Sequence, residues 1–209
     1  MKKAKAKAGA AGRKRKLSRA AGILLVIAGA ATFAAALLLS LRNKQQEKET
    51  QAVSDRVLAV LEQTIPDSVD TETAEKWESG DPPTLSAEGY SCIGILQIQG
   101  QKVSKKLPVI RTDLGSQAQD PDVLPCLTQG DPASGLVLKG QTSEDLTNVM
   151  KKTVRGDRLS FTDVYGVTTV YIVETSGYIA KVPSQVEEGL VFYCRTMGGY
   201  MVVSCRKAS

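Results

Sequence analysis

The stretch Val154 to Val173, "VRGDRLSFTDVYGVTTVYIV", covers two short runs, Leu159 to Asp163 and Thr168 to Glu174, the second running one residue past its end, on either side of a turn at Gly166. β-Branched and aromatic side chains fit a pleated, half-buried surface, so the stretch reads as a β-hairpin. Five further runs of the same kind surround it: Ile93 to Gln99, Leu107 to Arg111, Leu136 to Lys139, Leu190 to Cys194 and Tyr200 to Cys205. One segment breaks the series. Thr142 to Thr153 spaces Leu146, Val149 and Met150 as a helix does, with Thr142 or Ser143 as N-cap candidates and Lys151 and Lys152 at the end where the helix dipole favours cations. Residues 90–209 are therefore expected to form one small all-β barrel or sandwich with a single inserted helix.

Upstream of the body, residues 66–89 carry Asp67, Asp70, Glu72, Glu75, Glu78, Asp81 and Glu88, the pair Pro82-Pro83 and few apolar residues, which is the composition of a linker. Trp77, the only tryptophan, lies within it. Before Pro66, residues 42–65 place Val53, Val57, Leu58, Val60, Leu61 and Ile65 on one helical face, an amphipathic helix expected to stand as a stalk or to pack on the body. From Ala20 to Leu41 no charge interrupts an apolar run. As a helix it would be about 33 Å long, enough to cross a hydrocarbon core of about 30 Å. The run continues through Leu37, Leu38 and Leu39, which favours an uncleaved signal-anchor over a cleaved leader. Residues 1–19 form a basic tail whose Lys and Arg outweigh Arg42, Lys44 and Lys48 beyond the run, so the positive-inside rule leaves the N-terminus in the cytoplasm. The C-terminal domain is then extracellular and the chain a single-pass membrane protein.

The formal charge of +5 divides unevenly, with nine basic residues and no acid before position 20 and a net −4 on the rest. An acidic body with a basic tail argues against nucleic-acid binding, which spreads cations over the folded surface. The chain has no histidine, so no imidazole acts as base, proton shuttle or metal ligand. The four cysteines, Cys92, Cys126, Cys194 and Cys205, all lie beyond the apolar run, show no Cys-x-x-Cys spacing and allow three full pairings. Disulfide, buried thiol and nucleophile all remain open for them, zinc and dithiol redox chemistry do not fit, and no cofactor is implied.

In order and spacing these runs resemble bacterial sortases, the membrane-anchored cysteine transpeptidases, and above all the class B-like group. "YSCIGILQIQG" from Tyr90 and "KLPVI" from Lys106 resemble the family's opening strand and the "LPV" after it. "LPCLTQG" from Leu124 resembles its "APCRYSG" loop, and "LVLKGQ" from Leu136 falls where the family has "LVIAGH". The opening hairpin resembles "KxGDxVxFTDxxGxxxxYxV", while "LVFYC" from Leu190 and "GGYMVVSCRK" from Gly198 take the places of "TLxTC" and "R-V-x-V-R-C". The resemblance implies a closed sortase-like β-barrel preceded by a transmembrane helix and a stalk.

It also implies a chemistry in which a cysteine attacks the sorting-signal peptide, a histidine protonates the leaving amine and an arginine supports the oxyanion. Cys194 matches the nucleophile, Gln141 takes the histidine position, and the arginine position falls on Tyr200, or on Met201 if the turn differs by one residue. A glutamine amide exchanges no proton near neutral pH. The expected function is that of a catalytically impaired sortase homologue, a cell-surface binding or accessory module engaging a sorting-signal-like peptide or surface protein. The alternative is an active transpeptidase that uses Cys194 with Glu144, Asp145 or Arg195 in non-standard roles. The same resemblance points to Cys126 and Cys205 as disulfide partners.

Overall fold

The computed structural model describes residues 5–66, 82–112, 123–182 and 186–208, without the side chains of residues 5–24, 26–28 and 43. The acidic stretch 67–81, with Trp77, lies outside the described residues. The chain divides into two compact units, Met1–Lys48 and Glu49–Ser209.

The first unit is helical: α1 (Lys5–Thr64) starts there and runs without a break past Leu41. Leu25, Phe33, Leu37, Leu38, Leu39 and Leu41 on it are all exposed. Among the described residues no helix is long and apolar enough to cross a membrane, and residues 20–24 and 26–28 of the expected span are among those whose side chains are not described.

In the second unit nine strands follow: β1 (Leu85–Ala87), β2 (Tyr90–Gln99), β3 (Ser104–Arg111), β4 (Cys126–Asp131), β5 (Gly135–Lys139), β6 (Arg158–Asp163), β7 (Thr168–Ile179), β8 (Gly189–Thr196) and β9 (Gly199–Lys207). A short helix, α2 (Glu144–Lys152), comes between β5 and β6. The sheet order is β1-β2-β3-β4-β5-β8-β9-β7-β6, and β6 pairs back onto β2, so β2 to β9 close an eight-stranded barrel with β1 appended outside. The barrel is mixed: β3–β4 and β5–β8 run parallel and the other pairs antiparallel.

Closure depends on Gly94. It sits beside a bulge in β2 with φ 154° and pairs with Asp163, and a Cβ there would meet the Thr162 carbonyl oxygen at 2.1 Å. Only glycine allows the two backbones this approach.

Alternate residues of the strands fill the barrel, where Ile93, Leu96, Leu107, Leu138, Phe161, Tyr171, Leu190 and Phe192 are fully buried. α2 adds Leu146 and Met150 to this core. Its ends follow helix electrostatics: the Ser143 side chain accepts from the Leu146 N–H at 3.1 Å, Glu144 and Asp145 open the first turn, and Lys151 and Lys152 close the last.

A second core lies beneath α1, where Val57, Leu61 and Ile65 pack with Ala87, Cys92, Ile110, Leu124 and Cys126. The end of the helix read as a stalk over 42–65 is thus part of the body, tied further by an ion pair between Glu62 and Lys106. The body also begins earlier than Tyr90. Residues 85–87 double back on 90–92 through Glu88 and Gly89, both with positive φ, the conformation of a tight two-residue hairpin turn.

Candidate functional site

Cys194 lies near the end of β8 and is fully buried. β5 runs parallel beside it, with Lys139 in register with Tyr193, and the Gly140 N–H extends the ladder by donating to the Tyr193 carbonyl at 2.6 Å. That register sets Gly140 beside Cys194 and Gln141 one residue further along, so the two strands expected to flank the site are neighbours. Gln141 is 7% exposed and its Oε1 has no hydrogen-bond partner, an orphaned acceptor next to the thiol's strand.

The residue facing Cys194 from β9 is Met201. Tyr200 faces Arg195 instead, and its ring meets Tyr193 edge-on at 5.8 Å. Opposed residues share a face and successive residues alternate, so Tyr200 stands on the other side of the sheet from the thiol. Of the two positions the sequence left open, Tyr200 and Met201, the register puts Met201 on the thiol's face. The cause is the tightness of the hairpin, in which Thr196 already pairs with Gly199 and only Met197 and Gly198 make the turn. Arg195 is exposed on the outer face with Tyr200, and Arg206 lies further along β9 with Glu174 at 3.7 Å.

Helix α2 supplies what the sequence reading missed. The Thr147 hydroxyl donates to the Ser143 carbonyl at 2.8 Å and lies 3.6 Å from Cys194 Sγ. One hydroxyl carries one proton, so while Thr147 holds Ser143 the thiol is the donor of that contact. Burial raises the Cys194 thiol above its ordinary value, opposed by the Thr147 hydroxyl and by the charge of Lys151. Support of a thiolate by Thr147 would require its bond to Ser143 to break. Residues 143, 147 and 151 form an i, i+4 polar row, which the sequence shows but cannot assign to a strand.

Glu144 and Asp145 are exposed at the helix start, Asp145 holding Lys105 at 3.0 Å, so neither is buried as a tuned acid needs to be. A cleft of about 550 Å³ is lined by Met201 together with Lys151, Arg155, Glu174, Gly177 and Tyr178 among others.

The disulfide is also corrected. No disulfide forms among the four cysteines, and Cys126 belongs to the core beneath α1 whereas Cys205 belongs to the barrel interior. The two thiols lie in different layers of the molecule.

No protein-family model matches the chain, and no curated protein matches it significantly. Among solved structures it is similar to sortase A of Listeria monocytogenes, at 13% identity over 56% of this chain and 88% of that one, with a TM-score of 0.46. It is similar also to sortase C of Clostridium perfringens in complex with the C-terminal cell wall sorting signal motif, at 10% identity over 80% and 85% of the two chains and a TM-score of 0.44. Sortase C1 of GBS pilus island 1 matches at 14% identity over 81% and 84%, with a TM-score of 0.46.

Proposed function

We propose that this chain is a membrane-tethered, extracellular sortase homologue without working transpeptidase machinery, acting as a binding or accessory module at a bacterial cell surface. One observation carries the reading: Cys194 is sealed in the core with its thiol raised by burial, the residue facing it is Met201, and the hydroxyl 3.6 Å away is already engaged with a carbonyl. A thioether and an engaged hydroxyl neither donate a proton to a leaving amine nor offer a cation to an oxyanion, and Lys151, the cation whose charge acts on the thiol, is exposed to solvent. Loss of acid–base help alone costs about 10²–10⁴ in rate. Binding is less affected, because strand edges and groove shape need neither a proton donor nor an oxyanion cation. The peptide class, a sorting signal or a surface protein bearing one, comes from the resemblance of the strand motifs.

The tether rests on the uncharged run Ala20 to Leu41, on the exposed Leu25, Phe33, Leu37, Leu38, Leu39 and Leu41, and on the basic residues before them. Retention in the membrane pellet after alkaline extraction, with the body cleaved by protease added outside the cell, is the expected behaviour; release at high pH contradicts it.

The enzymatic half is tested by incubating the full chain with a panel of fluorogenic sorting-signal peptides, beside Cys194→Ala. The expected result is no turnover by either. Turnover by the wild type that vanishes in Cys194→Ala supports the alternative of an active transpeptidase.

A further inference from the structure

Strand β7 is the longest of the barrel, yet β6 accompanies only its first part, the last register pair being Arg158 with Ile172. Beyond it the Val173 N–H donates to the Asp157 carbonyl and the Gly156 N–H to the Val173 carbonyl, each at 2.9 Å. The chain then turns away, as the Val154 N–H donates to the Asp157 carboxylate at 2.9 Å. From residue 174 to 179 β7 is paired with β9 on one side and, among the described residues, with no strand on the other.

That open edge forms one wall of the cleft of about 550 Å³. Five successive residues, 174–178, line it. Since neighbouring side chains point to opposite faces, a run of consecutive lining residues means that the cleft meets the strand edge-on, along its backbone. Gly177 lies in the middle, and a Cβ placed there would meet nothing within 4 Å. Lys151 and Arg155, both exposed, also line the cleft, with the Lys151 ammonium 5.7 Å from the centre of the Tyr178 ring. The one acid among the described residues that line the cleft, Glu174, has Arg206 at 3.7 Å. A strand edge left unpaired among the described residues and sharing its cleft with two cations fits an extended backbone with acidic side chains.

We infer that the β7 edge is a docking site for an extended acidic peptide, which adds to the barrel as a strand along residues 174–179 and places carboxylates against Lys151 and Arg155. Main-chain hydrogen bonds to the edge hold it and the two cations select its charge. The site does not use Cys194, and it stands whether or not that thiol reacts.

The test uses the full chain in mild detergent and a fluorescein-labelled octapeptide of alternating valine and glutamate. Three comparison peptides accompany it: one with lysine for glutamate, and two bearing backbone N-methyl groups along one or the other edge. Fluorescence anisotropy reads binding, and amide exchange by mass spectrometry reads where. The acidic peptide is expected to bind and to slow exchange within 174–179. At least one N-methylated peptide and the lysine peptide should bind at least about tenfold more weakly, and Lys151→Glu with Arg155→Glu should weaken the acidic peptide by about tenfold or more. Equal binding by both N-methylated peptides overturns strand addition, and equal binding by the lysine peptide overturns the charge selection. Undiminished binding to the double variant, protection confined to another strand, or no binding at all overturns the proposal. So does protection of 174–179 that rises with protein concentration alone, which makes a second copy the occupant.

Discussion

Met201 stands directly across the β8–β9 ladder from Cys194, while its neighbour Tyr200 is turned to the opposite face of the sheet beside Arg195. A cation at position 201 would therefore share the thiol's face, and a cation at 200 would not. Met201→Arg is expected to lower the Cys194 thiol, the usual effect of an adjacent opposite charge. Tyr200→Arg should leave it in place. Residue-resolved alkylation across pH in the two variants checks this; a larger drop in Tyr200→Arg contradicts the register.

The Thr147 contact makes a prediction of sign. Its hydroxyl opposes the rise that burial imposes on the Cys194 thiol, so Thr147→Val is expected to raise the Cys194 midpoint. The pH at half-maximal alkylation of Cys194 reads it; a midpoint that falls would show the hydroxyl held by the Ser143 carbonyl in both protonation states.

Leu61 of α1 is fully buried in the core it shares with the body, so Leu61→Ala is expected to destabilise the body by about 2–5 kcal/mol. A stalk free of the barrel would show almost no change. Urea unfolding followed by circular dichroism distinguishes them.

Alkaline pH should destabilise the fold. Burial pushes the Cys92 and Cys205 thiols from 9.0 up to about 12 and raises the Tyr171 phenol as well. Between these values the unfolded chain releases protons that the folded chain keeps. Stability is thus full below about pH 9 and falls as pH climbs toward 12, by about 1.4 kcal/mol per pH unit for each thiol. Urea midpoints measured from pH 8 to 11 should fall along this course, and Cys92→Ala should make the slope shallower by one thiol's share.

The strands that the sequence revealed are those with β-branched residues on a buried face, such as residues 93–99 and 190–194. β4 stayed hidden because Thr128, Gln129 and Gly130 are exposed in succession around a bulge, which erases the alternation. β1 stayed hidden because three residues are too short to show a period, and the end of β7 because Ser176 and Gly177 read as turn residues although they form an open edge. At the site, Cys194 and the neighbourhood of Gln141 were legible from strand order. The choice between Tyr200 and Met201 depended on the length of one turn. The row of Thr147 and Lys151 depended on where α2 lies over the barrel, which spacing along the chain does not encode.

The central claim is that Cys194 is a buried, unactivated thiol. Its most direct test is the pH dependence of Cys194 alkylation in the native protein, followed residue by residue by mass spectrometry. The predicted result is slow modification whose midpoint lies above the ordinary thiol value of 9.0, with rapid reaction only after unfolding. Rapid native modification with a midpoint near or below neutrality would show a stabilised thiolate and contradict the account.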